Sequence, residues 1–328
     1  MNTPELHFAT PTELLAALPH LLGFVPTDDM VALMLGPVAD DEDHMAISAA
    51  IRCPITAEDQ VAQQFPARCK IAAEQFPSAI LVAVCDADHD DHALAMLRAM
   101  RAALHRRGII VHRMLMTHSV PAPDHWFDPD TGEIGTTVAY TDSPATALGV
   151  LQGRLIAASR ADIQREFATT DPAPQLDAEP QDIAALIGDS AADRHRAITQ
   201  NRIPTTGLAM RAAALVTAHV GLRDGLLRLA VGHELAAGRV WTQIAAAHRG
   251  ASRAELLTMA ALAYYCGEDT VRAGMALTYA GEAVRDDHSM LPALAAMLCT
   301  ALQTGMPPAR IRAVIPTREK TPIPGTSL

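Results

Sequence analysis

Carboxylates and imidazoles crowd into one short stretch of the chain, "CDADHDDH", residues 85 to 92. Asp86, Asp88, His89, Asp90, Asp91 and His92 offer hard oxygen and nitrogen donors of the kind that Mg²⁺, Mn²⁺ or Zn²⁺ takes. Asp86, Asp88 and His89 are the candidate metal ligands. Adjacent residues of one loop seldom all converge on one ion, so a further ligand has to come from elsewhere. His118, at the end of the next strand-like run, is the natural partner by topology. The competing reading gives Asp90 or Asp91 to the cap of the following helix and leaves the other groups in water, with the carboxylates favourably placed against the helix dipole. His20 in "PHLLGF" is a third ligand-binding candidate beside Asp86 and His118, with His20 and Phe24 as pocket walls. A helix end fixed by Gly23 explains those residues equally well.

The elements around the loop decide where its side chains can point. "SAILVAVCD" (78–86) is a continuous apolar run bounded by Pro77 and the acidic cluster, as expected for a strand covered on both faces. "HALAMLRAMRAALHRRG" (92–108) carries apolar residues at helical spacing and ends on basic residues and Gly108, and "IIVHRMLMT" (109–117) follows at once as a strand. This order makes a β-α-β unit with parallel strands, and the loop then lies at the carboxyl end of a strand, where open α/β sheets bind ligands. Upstream, "MVALMLG" (30–36) and "HMAISAAIR" (44–52) predict a hairpin, and 57–75 a helix. "HWFDPDTGEIGTTVAYTDSP" (125–144) contains a D-P-D-T-G turn between two strand-like pieces, with Ser143 and Pro144 opening a helix. Trp126 in that hairpin reads as a packed aromatic in preference to a stacking platform for bases.

The Pro, Asp and Gln stretch 169–181 interrupts the pattern, and helical periodicity alone follows it. The expected fold is α/β plus all-α: an α/β domain over 1–170 with a mixed, partly parallel sheet, a linker over 171–181, a helical domain over 182–315 and a disordered tail over 316–328. Helices are expected near 181–188, 190–201, 206–219, 222–237, 239–248, 252–266, 269–285, 289–304 and 307–314. Within them, Tyr264, Tyr265 and Gly267 followed by Ala276 and Ala283 look like a tetratricopeptide helical hairpin, since small residues seven apart let two helices approach closely. A generic helical hairpin accounts for the same residues.

At 328 residues, 49% apolar and 19% charged, the chain has ample material for two cores. A net charge of −11 opposes attraction to phosphate backbones and anionic lipid, so neither a nucleic-acid nor a membrane partner is expected. The apolar run 14–35 is cut by Pro19, His20, Gly23, Pro26, Asp28 and Asp29, and the first basic Lys or Arg is Arg52, so neither a membrane span nor an export signal is expected. Five scattered cysteines without a C-x-x-C pair suit reduced thiols and a cytoplasmic location. The phosphate-loop, dinucleotide, nucleophile-elbow and H-E-x-x-H signatures are missing, and no cofactor is assigned.

The opening stretch "PTELLAALPHLLGFVPTDDMVALMLG", with Leu14, Leu15, Pro19, Leu22, Gly23, Phe24, Pro26 and Asp29, resembles the N-terminal signature of an actinobacterial family known as the domain of unknown function DUF4192. "VWTQIAAAHRGASRAELLTMAALAYYCGE" and "LQTGMPPARIR", through Trp241, Gly267, Gly305 and Pro307, resemble its C-terminal helices, and "GLRDGLLRLA" a further segment. Many members carry a Cys-Cys-Pro run after the tryptophan corresponding to Trp126. This chain reads "WFDPDTGEIG" there, so a metal or redox role built on those cysteines does not carry over. The resemblance implies a fold and no activity. Two functions remain on the residues: a cytosolic binding or adaptor protein with an unknown protein partner, acting through the helical domain, or a divalent-metal enzyme on a small molecule or phosphoester that uses the loop at 86–92.

Overall fold

The computed structural model describes residues 8–38, 41–57, 59–69, 71–172, 183–200, 202–218, 220–313 and 315. Most of the expected linker and the expected tail fall outside them. Two compact units divide the chain: one runs to Arg160 and takes in Gln303–Gly305, and the other comprises Ala161–Leu302 and the residues from Met306 on.

The first unit begins with α1 (Pro11–Leu22), whose start is fixed by a reciprocal capping box between Thr10 and Glu13 and whose end is fixed by Gly23 at φ 75°. Gly23 is thus a helix cap. Strands β1 (Asp29–Val38), β2 (Asp41–Pro54), β3 (Ser78–Val84), β4 (Ile110–Thr117), β5 (His125–Phe127) and β6 (Ile134–Thr136) form a sheet in the order β2-β1-β3-β4-β5-β6. Among the described strands of this sheet only β3 and β4 pair in parallel, joined by α3 (Asp90–His105), so the sheet is mixed as expected. β1 inserts between its hairpin partner β2 and β3, antiparallel to both.

Period-two burial follows from that central position. Met30, Ala32, Met34, Leu81, Ala83, Met114 and Met116 share one core with Met96, Leu97, Met100 and Leu104 of α3 and with Ala62 and Phe65 of α2 (Asp59–Arg68). Val31, Leu33, Val82 and Leu115 alternate with them and are buried too, so both faces of the central strands are covered. α2 is shorter than the 57–75 helix expected. The hairpin over 125–136 is present, its turn organised by Asp128 Oδ1, which accepts the N–H groups of Asp130 (2.9 Å) and Thr131 (3.3 Å). Ser143 caps α4 (Pro144–Leu151) as its sequence position demands.

The second unit is helical: α5 (Arg160–Glu166), α6 (Ile183–Thr199), α7 (Thr206–Ala218), α8 (Val220–Leu227), α9 (Glu234–Ala246), α10 (Gly250–Cys266), α11 (Thr270–Asp286), α12 (Ala293–Gln303) and α13 (Pro308–Arg312). α10 lies at its centre, with Leu256, Leu257, Ala260, Tyr264 and Tyr265 all buried. Gly238 of α9 permits the close α9–α10 approach, since a methyl group there would meet the Tyr264 ring at 2.6 Å. Phe167 stacks on Tyr279 at 5.5 Å between centroids and meets Tyr264 edge-on at 6.5 Å. Ala276 and Ala283 of α11 are buried against this core, and the α10–α11 turn is made by Glu268 at φ 63° and by Asp269, which caps α11.

Candidate functional site

Three chain segments meet at the carboxyl ends of β3 and β4. Register sets them there: Val84 pairs with Thr117 on one side and with Asp29 on the other, so Asp28 and Asp29, the Cys85–Asp90 turn and His118 surround one rim of the sheet. Cys85 N–H donates to Thr117 O (3.2 Å), and the Thr117 hydroxyl donates to Ser119 O and His125 O, which ties the end of β4 to the edge hairpin.

The loop itself splays. A 3-10 turn, Ala87–His89, leads directly into α3, and the N-cap position falls on His89, whose side chain makes no capping bond. Neither Asp90 nor Asp91 is the cap expected of them. The reason is geometric: the 3-10 turn brings Asp90 into the first helical turn, where its carboxylate still meets the helix dipole but faces β4. There Asp90 Oδ1 and Oδ2 accept from His118 Nε2 at 3.1 and 3.2 Å. His89 turns the other way, and its Nδ1 donates to Asp28 Oδ1 at 3.0 Å. Asp28 reaches that position from a left-handed backbone, φ 51°, uncommon for a residue with a Cβ. Asp86 and Asp88 are exposed.

Of the residues singled out by sequence, His89 and His118 therefore enter two imidazole–carboxylate pairs, His89 with Asp28 and His118 with Asp90, and Asp86 and Asp88 enter neither. Among the described residues no group of three or more His, Cys, Asp and Glu side chains is placed to hold a metal ion. Cys85 lies behind Asp90, its Sγ 3.8 Å from Oδ1. A cysteine nucleophile needs a base next to its sulfur and a carboxylate beyond the base. Here the order is reversed, with the carboxylate next to the sulfur. Burial, reinforced by Asp90, pushes the Cys85 thiol up to about 12, so it stays protonated and is a poor nucleophile.

Asp29, next to Asp28, is buried and ion-paired with Arg52 of β2. Burial raises its pKa, and the opposing pull of Arg52 does not cancel that. This pair braces the rim.

His20 does not join the rim. It packs under α4, where a methyl group on Gly149 would lie 2.5 Å from Nδ1, and that nitrogen is buried without a hydrogen-bond partner among the described residues. Burial first and Arg154 second lower its pKa. A histidine whose folded pKa is depressed adds stability above its ordinary value of 6.5 and loses that contribution as pH falls through it, because only the unfolded chain takes up the proton readily. Urea unfolding of wild type should therefore weaken from pH 7.5 to pH 5.5, and His20→Gln should flatten part of that slope. Parallel curves for the two proteins would show that His20 does not carry the effect.

The family model for the domain of unknown function DUF4192 matches residues 11–309. The chain belongs to the DUF4192 family. No curated protein and no solved structure matches it. In this DUF4192 chain the signature residues have structural duties that can now be named: Leu14, Leu15 and Leu22 fill the core, Gly23 ends α1, and Asp29 pairs with Arg52 at the rim. Trp241 and Gly267 mark α9 and the end of α10, where Gly267 lies against Leu235. Among the described residues no helix is long and apolar enough to cross a membrane. Sequence reasoning missed Asp28 as the partner of His89; its position next to the signature Asp29 was the available signal.

Proposed function

We propose that this DUF4192 protein is a cytoplasmic binding or adaptor protein that works through its helical unit, on a protein partner, without catalysis at the strand ends. The observation that supports it best is the divergence of the 86–92 loop: His89 is drawn to Asp28 and His118 to Asp90, while Asp86 and Asp88 face water. An active site built on these groups needs them to converge on one point. The helical unit offers apolar surface instead, with Met290 90% exposed, Met297 68% exposed and Leu291 36% exposed. Its α10–α11 hairpin, packed through Ala276 and Ala283, suits a repeat-like scaffold of the kind that presents such surfaces. The five cysteines are all free thiols, which fits a reducing compartment, and the acidic balance favours a protein partner over nucleic acid or membrane.

Thermal melting with Mg²⁺, Mn²⁺ and Zn²⁺, on wild type, Asp86→Ala and His89→Ala, tests the reading. The expected result is the same metal response in all three proteins. If one metal raises the wild-type melting temperature by several degrees and neither variant responds, the loop is a metal site and the enzyme reading takes over. In parallel, a Met290→Asp, Met297→Asp double variant should melt as wild type does and lose the proteins that wild type retains on affinity capture.

A further inference from the structure

Three arginines of the helical unit are buried, and they are held very differently. Arg272 holds two carboxylates: its Nε and Nη2 donate to Glu166 (2.8 and 2.6 Å) and its Nη1 to Asp269 (2.9 Å). Arg253 holds two carbonyls, Ala245 O and Phe167 O, both at 2.6 Å. Arg194, on α6, has no exposed surface, and among the described residues none of its Nε, Nη1 and Nη2 atoms has an acceptor.

Arg194 also sits where an apolar side chain belongs. Among the described side chains of α6, the buried ones are Ala191, Arg194, Ala197 and Ile198, so the cation occupies the middle of the inward stripe, three or four residues from each neighbour. Two alanines and one isoleucine give that stripe little apolar area, whereas α10 buries Leu256, Leu257, Met259, Tyr264 and Tyr265. The Arg194 guanidinium is stacked on α9, its central carbon 4.2 Å from the centroid of the Trp241 ring. Stacking occupies the face of a guanidinium and leaves its in-plane N–H donors, which have lost water, unpaired. Burial, with a smaller push from Arg211, pulls the pKa of Arg194 down to about 9, so the group stays cationic at neutral pH. A further tie lies near the surface: Asp193 pairs with Arg211 of α7, and both side chains reach water, which makes for a weak hold.

We propose that α6 is a cover that opens as a unit from the face of Trp241, with Arg194 as the built-in bias towards opening. Closed, the helix buries a cation without acceptors; lifted, it returns all of those donors to water, which offsets part of the cost of opening. A helix in a folded protein owes most of its stability to the face it buries, so one with a thin apolar stripe and a charge at its centre opens before the core around α10 does. Its carboxyl end carries a joint, since residues 202–205 have no regular structure, include Pro204 and leave Ile203 81% exposed. Opening bares the indole, so the helical unit alternates between a sealed and an accessible face. The inference goes beyond the adaptor reading and does not depend on it, since it concerns a motion within the helical unit and not the surface at Met290 and Met297.

Native-state hydrogen exchange of the full chain, read by mass spectrometry on peptides, tests the proposal in wild type and Arg194→Met. In wild type, peptides of α6 should exchange at least about a hundredfold faster than those of α10. Arg194→Met removes the charge at similar length and keeps a contact with the indole, so α6 should exchange at least about tenfold more slowly than in wild type. The proposal is overturned if α6 and α10 of wild type exchange together, or if α6 of Arg194→Met exchanges as fast as in wild type or faster. Should Arg194→Met not fold, Ala191→Asp decides, in a Trp126→Phe background that leaves Trp241 as the only tryptophan. A second charge in the inward stripe should lift α6 and red-shift the Trp241 emission, while α10 still exchanges at least about a hundredfold more slowly than α6. An unshifted emission, or loss of the protection of α10 together with that of α6, would overturn the proposal as well.

Discussion

Replacing Arg272 with leucine lowers the unfolding free energy of the helical unit by about 3 kcal/mol or more, the scale of breaking a buried ion pair from one side. Arg272 joins α5 to α11, taking Glu166 in a two-point contact and Asp269 in a third bond, and its own side chain is only 4% exposed. Leucine fills part of the volume and strands two carboxylates. Asp269 suffers more than Glu166, because its side chain is 13% exposed against 34%, so Glu166 can be rehydrated while Asp269 cannot. Asp269 also caps α11 by accepting the Arg272 N–H, so its side chain is held in place for a second reason. Glu166→Gln keeps one acceptor oxygen and should cost only about 1–2 kcal/mol. Urea denaturation of both single variants and the double variant measures the coupling. A loss for Arg272→Leu of under about 1 kcal/mol would show that these bonds contribute little beyond a surface pair.

The β-α-β unit was readable because two independent signals agreed: an unbroken apolar run for β3 and helical spacing for α3, separated by polar residues. The helical unit was less so, and the two departures have specific causes. A break near residue 189 was expected, yet α6 runs unbroken from Ile183 to Thr199. Gly188 inside it costs about 1 kcal/mol relative to alanine, which the packing of Ala191, Ala197 and Ile198 outweighs. Conversely, periodicity ran on from 222 to 237, whereas the structure stops α8 at Leu227 and restarts at Glu234. Extended Val231 and Gly232 at φ 81° make that break, which a pattern of apolar spacing does not register.

The rim shows a different limit. Residue types near 85–92 were legible as a polar cluster at a strand end, and the structure puts them there. Which carboxylate each imidazole meets was not legible, because it depends on strand register and on the 3-10 turn that rotates Asp90 toward β4. The sequence distance between His89 and Asp28, or between Arg194 and Trp241, gives no local signal at all. Buried cation–π and ion-pair contacts of that kind are properties of the packed fold.

Trp126→Ala should cost the first unit about 3 kcal/mol, within the range for deleting a buried aromatic. The ring is 4% exposed, and it occupies the space over Gly135 in the facing strand, where a methyl group would collide with it. Its Nε1–H donates to the Thr12 hydroxyl (3.0 Å), and Thr12 in turn donates to Thr136 O (2.9 Å), so one side chain bolts α1 to both strands of the edge hairpin. Losing it removes the ring's contacts and leaves a cavity between them. The consequence reaches the rim, because Thr117 pairs with Trp126 in the sheet and its hydroxyl bonds to His125 O. Hydrogen exchange in Trp126→Ala should therefore rise in 125–136 and at the end of β4, while the amides of β1 and β3 stay protected. Trp126→Phe keeps most of the contact area and should recover more than half of the loss, leaving mainly the missing bond to Thr12. If exchange rises uniformly through the sheet instead, the hairpin is not a separable edge and Trp126 supports the whole core.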